Sequence, residues 1–215
     1  MRNSLASTLR GVLFLAVPAS IGIMILRQPI ISLLYQRGNF DPHSTDLVAW
    51  ALLWYGAGLV GHSLLEILAR GFYALHDTKT PVLVGVGAMG LNVVLSFALS
   101  SLFSHLGWMP HGGLALANSI ATGLEAIILL VLISIRLKRI NFQTILKGFG
   151  QAIVAALFMG ISLTFWLQQT PIYPIWITAF GGLFLGVCVY LTLIWFLKVP
   201  EFRSLRGFIV NKLKR

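Results

Sequence analysis

The sequence predicts an all-α membrane protein with six transmembrane helices. The chain contains six long apolar stretches separated by short polar gaps. Hydrophobic residues make up 57% of it and charged residues only 10%, against about 25% in a typical soluble domain. Of its 16 Lys and Arg residues, all but Arg27 and Arg37 fall at the chain ends or in alternate gaps. Together these features indicate a chain that crosses a bilayer repeatedly.

Each apolar stretch exceeds the ~20 residues that a helix needs to cross ~30 Å of hydrocarbon. In lipid the backbone must satisfy its own hydrogen bonds, and the alternating pattern of barrel strands is missing, so helices are predicted. Because the loops are short, we expect consecutive helices to be antiparallel neighbours. In chain order the predicted helices are Gly11–Tyr35, Asp46–Ala74, Pro81–Phe103, Gly113–Ile135, Leu146–Leu167 and Ile172–Leu197.

The basic residues also predict an orientation. Lys and Arg in short loops are retained on the cytoplasmic side, so both termini are expected to be cytoplasmic. The net charge of +10 lies at the predicted membrane edges rather than on one face, which argues against a nucleic-acid partner. Cys188 and the five histidines show no metal-ligand spacing, and no catalytic arrangement is recognisable. We therefore expect no metal, no cofactor and no enzymatic activity.

Two turns carry helix-start signals. Before the third helix, Thr80 is expected to cap exposed amides and Pro81 to occupy the first helical position. The turn at residues 37–42 breaks the chain, and a restart is expected at Ser44 or Thr45.

Helices five and six carry small residues at close-packing intervals. This spacing lets helix backbones approach, so we expect the two helices to pack as a hairpin, although such spacing also arises by chance. Beyond residue 198, the alternation of apolar and basic residues favours an amphipathic helix on the inner leaflet, with a disordered basic tail as the alternative. The small residues are Gly148, Ala152, Ala156 and Gly160 in helix five, and Thr178, Gly182 and Gly186 in helix six.

A few polar residues fall inside the predicted spans, where ionisable groups are costly and indicate function. Glu125 lies ~18 Å along its helix from Gly113, near the middle of the core. We expect it to line a cavity or to be a neutral, hydrogen-bonded structural group.

Four further polar residues are candidates for a cavity. Glu66 and Arg70 have the spacing and order of a helical ion pair, which either lines a cavity or simply reaches out of the membrane end. Asn92 and Asn118 are expected to hydrogen-bond across helices. Arg27 is expected to bind an anionic head group or to extend outwards.

Two sequence segments carry a family resemblance. They are the run from Leu33 to Asp41 and the run from Arg70 to Pro81, and the segments Leu91–Leu95 and Gly113–Ser119 extend it. In this order and spacing they resemble the MurJ (MviN) family of lipid II flippases, within the superfamily of polysaccharide flippases and multidrug antiporters. The motif residues in the two turns are Arg37, Gly38, Phe40, Asp41, Phe72, Tyr73, Asp77, Thr78, Thr80 and Pro81.

The resemblance implies that the chain corresponds to the last six helices of a fourteen-helix flippase. It implies a four-helix part of the second lobe at residues 1–140, a two-helix hairpin at 141–198 that forms a lipid-tail groove, and a basic amphipathic tail at 199–215. It also implies a missing N-terminal lobe as partner, membrane lipids around the chain, and a location in the bacterial inner membrane.

The function implied is movement of lipid II, an undecaprenyl-diphosphate-linked peptidoglycan precursor, by alternating access. Transport is expected only together with the missing lobe. The alternatives are an O-antigen or capsule polysaccharide flippase of the same superfamily, and a non-transporting membrane scaffold.

Overall fold

The computed structural model describes residues 2–137 and 142–197, and this part of the chain folds into six α-helices. All six predicted helices are confirmed, and each is long and apolar enough to cross a membrane. The proposed tail at 199–215 lies outside the described residues. The helices are α1 (Arg2–Tyr35), α2 (Pro42–Ala74), α3 (Lys79–His105), α4 (His111–Arg136), α5 (Phe142–Gln169) and α6 (Ile175–Phe196).

The turn between α1 and α2 is tighter than expected. Gly38 adopts a left-handed conformation with φ 59°, and α2 begins at Pro42 rather than at Ser44 or Thr45. Asp41 is the N-cap, because its side chain accepts a hydrogen bond from the Ser44 backbone N–H at 2.8 Å. A proline at the first helical position loses no hydrogen bond, which explains the earlier start.

The turn between α2 and α3 is built around Asp77. His76 adopts φ 58°, and the Asp77 N–H donates to the Phe72 carbonyl at 3.1 Å, which closes α2 with a Schellman motif. The Asp77 carboxylate then accepts hydrogen bonds from the Thr80 N–H at 3.0 Å and the Thr80 hydroxyl at 2.6 Å. The expectation that Thr80 is the cap is therefore wrong: Asp77 accepts, and Thr80 donates.

The expectation that all consecutive helices are neighbours is also wrong. The helix α2 packs along α1 and α4 but meets α3 only marginally, and α3 packs along α4. The helix α5 lies against α1 and α6 rather than along α4. In space the described helices therefore run α3, α4, α2, α1, followed by the α5–α6 pair. Short loops fix antiparallel direction, but side-chain size decides which helices touch.

Small residues explain why α2 and α4 come so close. A Cβ on Gly61 would lie 3.0 Å from the Gly123 Cα, so the two backbones are in contact. Gly58 lies against Ser119, whose hydroxyl donates to the Trp54 carbonyl across the interface at 2.7 Å. In lipid, such close backbone contact and hydrogen bonding replace the hydrophobic effect as the force between helices.

The small residues of α5 face α1 rather than α6. Ala152 and Ala156 are fully buried, and a Cβ on Gly160 would lie 3.1 Å from side chains of Ile21 and Ile25. Gly148 similarly lies against Arg10. The hairpin of α5 and α6 is confirmed, but the expected partner of the α5 small residues is corrected to α1.

On α6 the small residues pack against large side chains of α5 and α1. Gly186 packs against Leu163 of α5, and Gly182 packs against Trp166 of α5 and Leu26 of α1. The Trp166 indole N–H also donates to the Thr178 carbonyl at 3.1 Å. These contacts hold the hairpin together and set its distance from α1.

Candidate lipid groove and polar face

An apolar groove of about 500 Å³ lies between α1, α5 and α6. Its walls are formed where glycines leave room beside larger aliphatic side chains. All three helices are long and apolar enough to cross a membrane, so a groove between them is expected to lie in the hydrocarbon region. Residues that shape it are Gly22, Leu26, Met159, Leu163, Gly182 and Gly186.

A proline and a tyrosine fix the position of the groove. Pro18 lies inside α1 and lacks the N–H that would bond the Phe14 carbonyl four residues earlier. The Tyr190 hydroxyl of α6 donates to that same carbonyl at 2.6 Å, and its side chain is buried. The bond replaces the one that proline removes and ties α6 to α1 beside the groove.

The predicted pair of Glu66 and Arg70 is present on α2. The Arg70 Nη2 and Nε lie 2.7 and 3.1 Å from the Glu66 Oε1, as the i,i+4 spacing predicts. The Arg70 side chain is 70% exposed and the Glu66 side chain 64% exposed. The pair therefore projects from the described bundle rather than joining two of its helices.

Asn118 bonds across helices, as expected. Its Nδ2 lies 3.4 Å from the Nε2 of His62, which is on the same face of α2 as Glu66, one turn earlier. We call His62, Glu66, Arg70 and Asn118 the polar face. His62 was not among the sequence candidates, because nothing in the spacing of α2 and α4 links two residues 56 positions apart.

Glu125 lies between α3 and α4. A Cβ on Gly85 of α3 would be 3.1 Å from the Glu125 Oε1, so glycine makes room for the carboxyl group. The side chain lines a cavity of about 240 Å³ whose other lining residues include Val84, Leu91 and Ile128. The structure thus places Glu125 beside a small apolar cavity that shares no lining residue with the groove between α1, α5 and α6.

The hydrogen bonds described for Arg27 and Asn92 stay within their own helices. Arg27 is half-buried on α1, and its Nη1 donates to the Met24 carbonyl of the same helix at 2.6 Å. The hydrogen bond described for Asn92 is also local, because its Oδ1 accepts from the Ser96 hydroxyl at 3.4 Å. A cross-helix bond from Asn92 is not described within residues 2–137 and 142–197, so that expectation stays a prediction for its amide N–H groups.

Several motif residues of the two turns make contacts within the fold. Phe72 is fully buried, Tyr73 is exposed, and Phe40 lies 6.0 Å from the Tyr35 ring. Asp77 also forms an ion pair with Arg136 at the end of α4, with 2.5 Å between Oδ2 and Nη1. Hydrogen bonds from Thr80, aided by the Arg136 charge, hold the pKa of the Asp77 carboxyl below its usual value. Asp77 is thus ionised at neutral pH and joins three helices.

The groove residues of α1 were missed by sequence reasoning. Pro18 in an apolar helix and Tyr190 in another were the available signals, since a proline frees a carbonyl and a buried tyrosine needs an acceptor. Their pairing across 176 positions became visible only in the fold.

Six helices able to cross a membrane, an apolar groove and a projecting polar face describe a multi-pass membrane protein. The family model described as "Lipid II flippase MurJ" matches residues 1–181. The chain belongs to the MurJ lipid II flippase family. Members of this family are named for moving a lipid, not for making or breaking bonds.

Individual relatives agree with this assignment. The chain is 36% identical over 121 residues to a probable lipid II flippase MurJ of Vibrio cholerae, covering 56% of this chain and 22% of that protein. It is 38% identical over 128 residues to the Haemophilus influenzae protein of that name, covering 60% and 24%. The matched region is thus less than a quarter of these relatives' length.

The fold is also similar to a solved structure. A lipid II flippase MurJ in an inward closed conformation superposes with a TM-score of 0.74 at 23% identity. The superposition covers 94% of this chain and 39% of the solved chain.

Proposed function

We propose that this chain supplies six helices of a lipid II flippase, which carries an undecaprenyl-diphosphate-linked precursor across the bacterial inner membrane by alternating access. The observation that carries this proposal is the apolar groove between α1, α5 and α6. A carrier of this substrate needs an apolar place for a long polyprenyl tail beside a polar cavity for the diphosphate and sugars.

In this proposal the groove holds part of the tail. Hairpin residues 142–197 form two of its walls, which is consistent with a distinct hairpin part at 141–198. However, α1 supplies the third wall, so the proposed boundary at residue 140 separates two segments that build the groove together.

The polar face is proposed to form one wall of the cavity. Arg70 and Glu66 project away from the other described helices, and exposed ions at a membrane span are favourable only against water or further protein. A single exposed arginine is a weak counter-charge for a diphosphate. We therefore propose that additional helices supply the remaining cations, and that this chain corresponds to the C-terminal part of such a flippase.

Co-expression tests this function. In cells depleted of their own flippase, the 215-residue chain is expected to insert but leave lipid II export defective. Together with a separately encoded eight-helix N-terminal part of a MurJ protein, it is expected to restore growth and surface exposure of lipid II. Expression of the eight-helix part alone is the control. Rescue by the 215-residue chain alone would contradict the requirement for further helices.

The orientation is proposed from the basic residues, with both termini in the cytoplasm. Asn39 is exposed in the turn between α1 and α2, and Lys79 is exposed as the first residue of α3, at the opposite end of the bundle. In a Cys188→Ser background, we expect Asn39→Cys to react with an impermeant thiol reagent in intact cells and Lys79→Cys to react only after lysis. The reverse labelling pattern would invert the orientation.

A further inference from the structure

A second cavity, of about 380 Å³, lies at the end of the bundle where α1 ends, α2 begins and α5 turns into α6. It continues the groove by one helical turn. On α5, Leu163 lines the groove and Leu167 lines this cavity. On α6, Gly182 lines the groove and Thr178 lines this cavity. Four residues span ~6 Å along a helix, so one bound lipid can reach both spaces. We call this cavity the head pocket.

Three buried threonines line the head pocket. Thr45, Thr170 and Thr178 are only 5%, 5% and 7% exposed. Their hydroxyls donate to backbone carbonyls, at 3.3 Å for Thr45, 2.8 Å for Thr170 and 3.4 Å for Thr178. A hydroxyl has one hydrogen, so each of these groups retains only lone pairs for a ligand.

The charged group of the head pocket is Asp46. Its Oδ1 accepts a hydrogen bond from the Gln28 Nε2 at 3.0 Å, and no other bond to this carboxylate is described within residues 2–137 and 142–197. Ser32 donates to the Gln36 side-chain oxygen, which leaves its own lone pairs available. Lys, Arg and His are not among the described residues that line the pocket. The lining thus carries one negative charge and several acceptors, and its side chains that can also donate are Gln28, Gln36 and Tyr173.

We propose that the head pocket binds the ammonium group of a phosphatidylethanolamine-type lipid, with an acyl chain of that lipid entering the groove. A primary ammonium carries a positive charge and three N–H donors, which match the carboxylate and the lone pairs. A choline head group has the charge but no N–H donor, and a glycerol head group has hydroxyls but no positive charge. The adjoining apolar groove selects a lipid over a free amine.

This binding does not depend on the proposed transport. A lipid seated in this way occupies the outer end of the groove and competes with any other tail there. Because the test below measures lipid binding by the purified chain, its outcome is separate from that of the co-expression experiment.

The test is native mass spectrometry of the delipidated chain in detergent, titrated with phosphatidylethanolamine, phosphatidylcholine and phosphatidylglycerol of identical acyl chains. We expect the ethanolamine lipid to bind at least tenfold more tightly than the other two. Asp46→Asn is expected to abolish this preference, and Asp46→Glu to retain it. Thr178→Val is expected to reduce it, because one buried acceptor is lost.

Asp41→Asn is the matched control. It makes the same charge change five residues away, outside the head pocket, and asparagine caps a helix as well as aspartate does. We expect the control to keep the full preference. Equal binding of ethanolamine and choline lipids, or an unchanged preference in both Asp46→Asn and Thr178→Val, would overturn the proposal.

Discussion

Gly22→Phe is expected to reduce lipid II export by the co-expressed pair at least tenfold without unfolding the chain. Gly22 lines the groove, and a Cβ at this position meets only the Met159 Cε at 3.9 Å, an ordinary contact. The backbone therefore accepts a side chain here. An aromatic ring at this point occupies the space proposed for the polyprenyl tail.

The size of the effect follows from packing rather than from the hydrophobic effect. Lipid hydrocarbon is as apolar as the groove, so a tail gains little from transfer alone and is held by close contacts. Each contact contributes ~0.1–0.2 kcal/mol, so losing about ten contacts costs ~1–2 kcal/mol, which is roughly tenfold in affinity. Exclusion of a longer stretch of tail gives a larger loss.

Gly11→Phe is the control for this variant. It makes the same substitution on the same helix, a Cβ there has nothing within 4 Å, and Gly11 does not line the groove. Export should be measured by surface accessibility of lipid II, with both variants shown to be inserted at equal levels. Normal export by Gly22→Phe would exclude the groove as a tail site.

Gly113→Ala is expected to separate α3 from α4. A Cβ on Gly113 would lie 2.6 Å from the Leu99 carbonyl carbon and 2.7 Å from the Ser100 nitrogen, both of which belong to the α3 backbone. A helix backbone cannot move aside locally as a flexible side chain can. Overpacking of this kind typically costs ~1–3 kcal/mol. Because α3 has α4 as its main described neighbour, the loss is concentrated at this one interface.

Two measurements check this prediction. In a Cys188→Ser background, cysteines at Ala88 and Ala121, which line one cavity between α3 and α4, should crosslink less efficiently in the Gly113→Ala variant. The thermal unfolding temperature in detergent should also fall. Gly123→Ala is the control on α4, since a Cβ there has nothing within 4 Å. Equal crosslinking in both variants would mean that α3 is held by other contacts.

The helices were predictable from sequence, and their partners were not. In water, an amphipathic pattern marks the buried face of a helix, but in lipid both faces are apolar and the pattern is lost. The small residues from Gly148 to Gly160 correctly identified a close-packed face. Their partner proved to be α1, because the sequence does not show which distant helix has complementary side chains.

The candidate site was predictable only where its parts are local. The i,i+4 spacing of Glu66 and Arg70 was sufficient to predict their ion pair. The bond between Asn118 and His62 and the bond between Tyr190 and Phe14 join residues far apart in sequence. Asp77 was recognised as part of a turn, but its pairing with Arg136 depends on where α4 ends.

The contact between α1 and α5 has a consequence for the biogenesis of the protein. The α1 face that contacts Gly148 and Gly160 is made before α5, and about 100 residues separate the end of α1 from the start of α5, which takes ~5–20 s at bacterial synthesis rates. During that interval the nascent chain presents Arg10, later buried against α5, at the membrane edge without its final cover. We therefore expect the first four helices to need protection by lipid or by the insertion machinery until the last hairpin arrives.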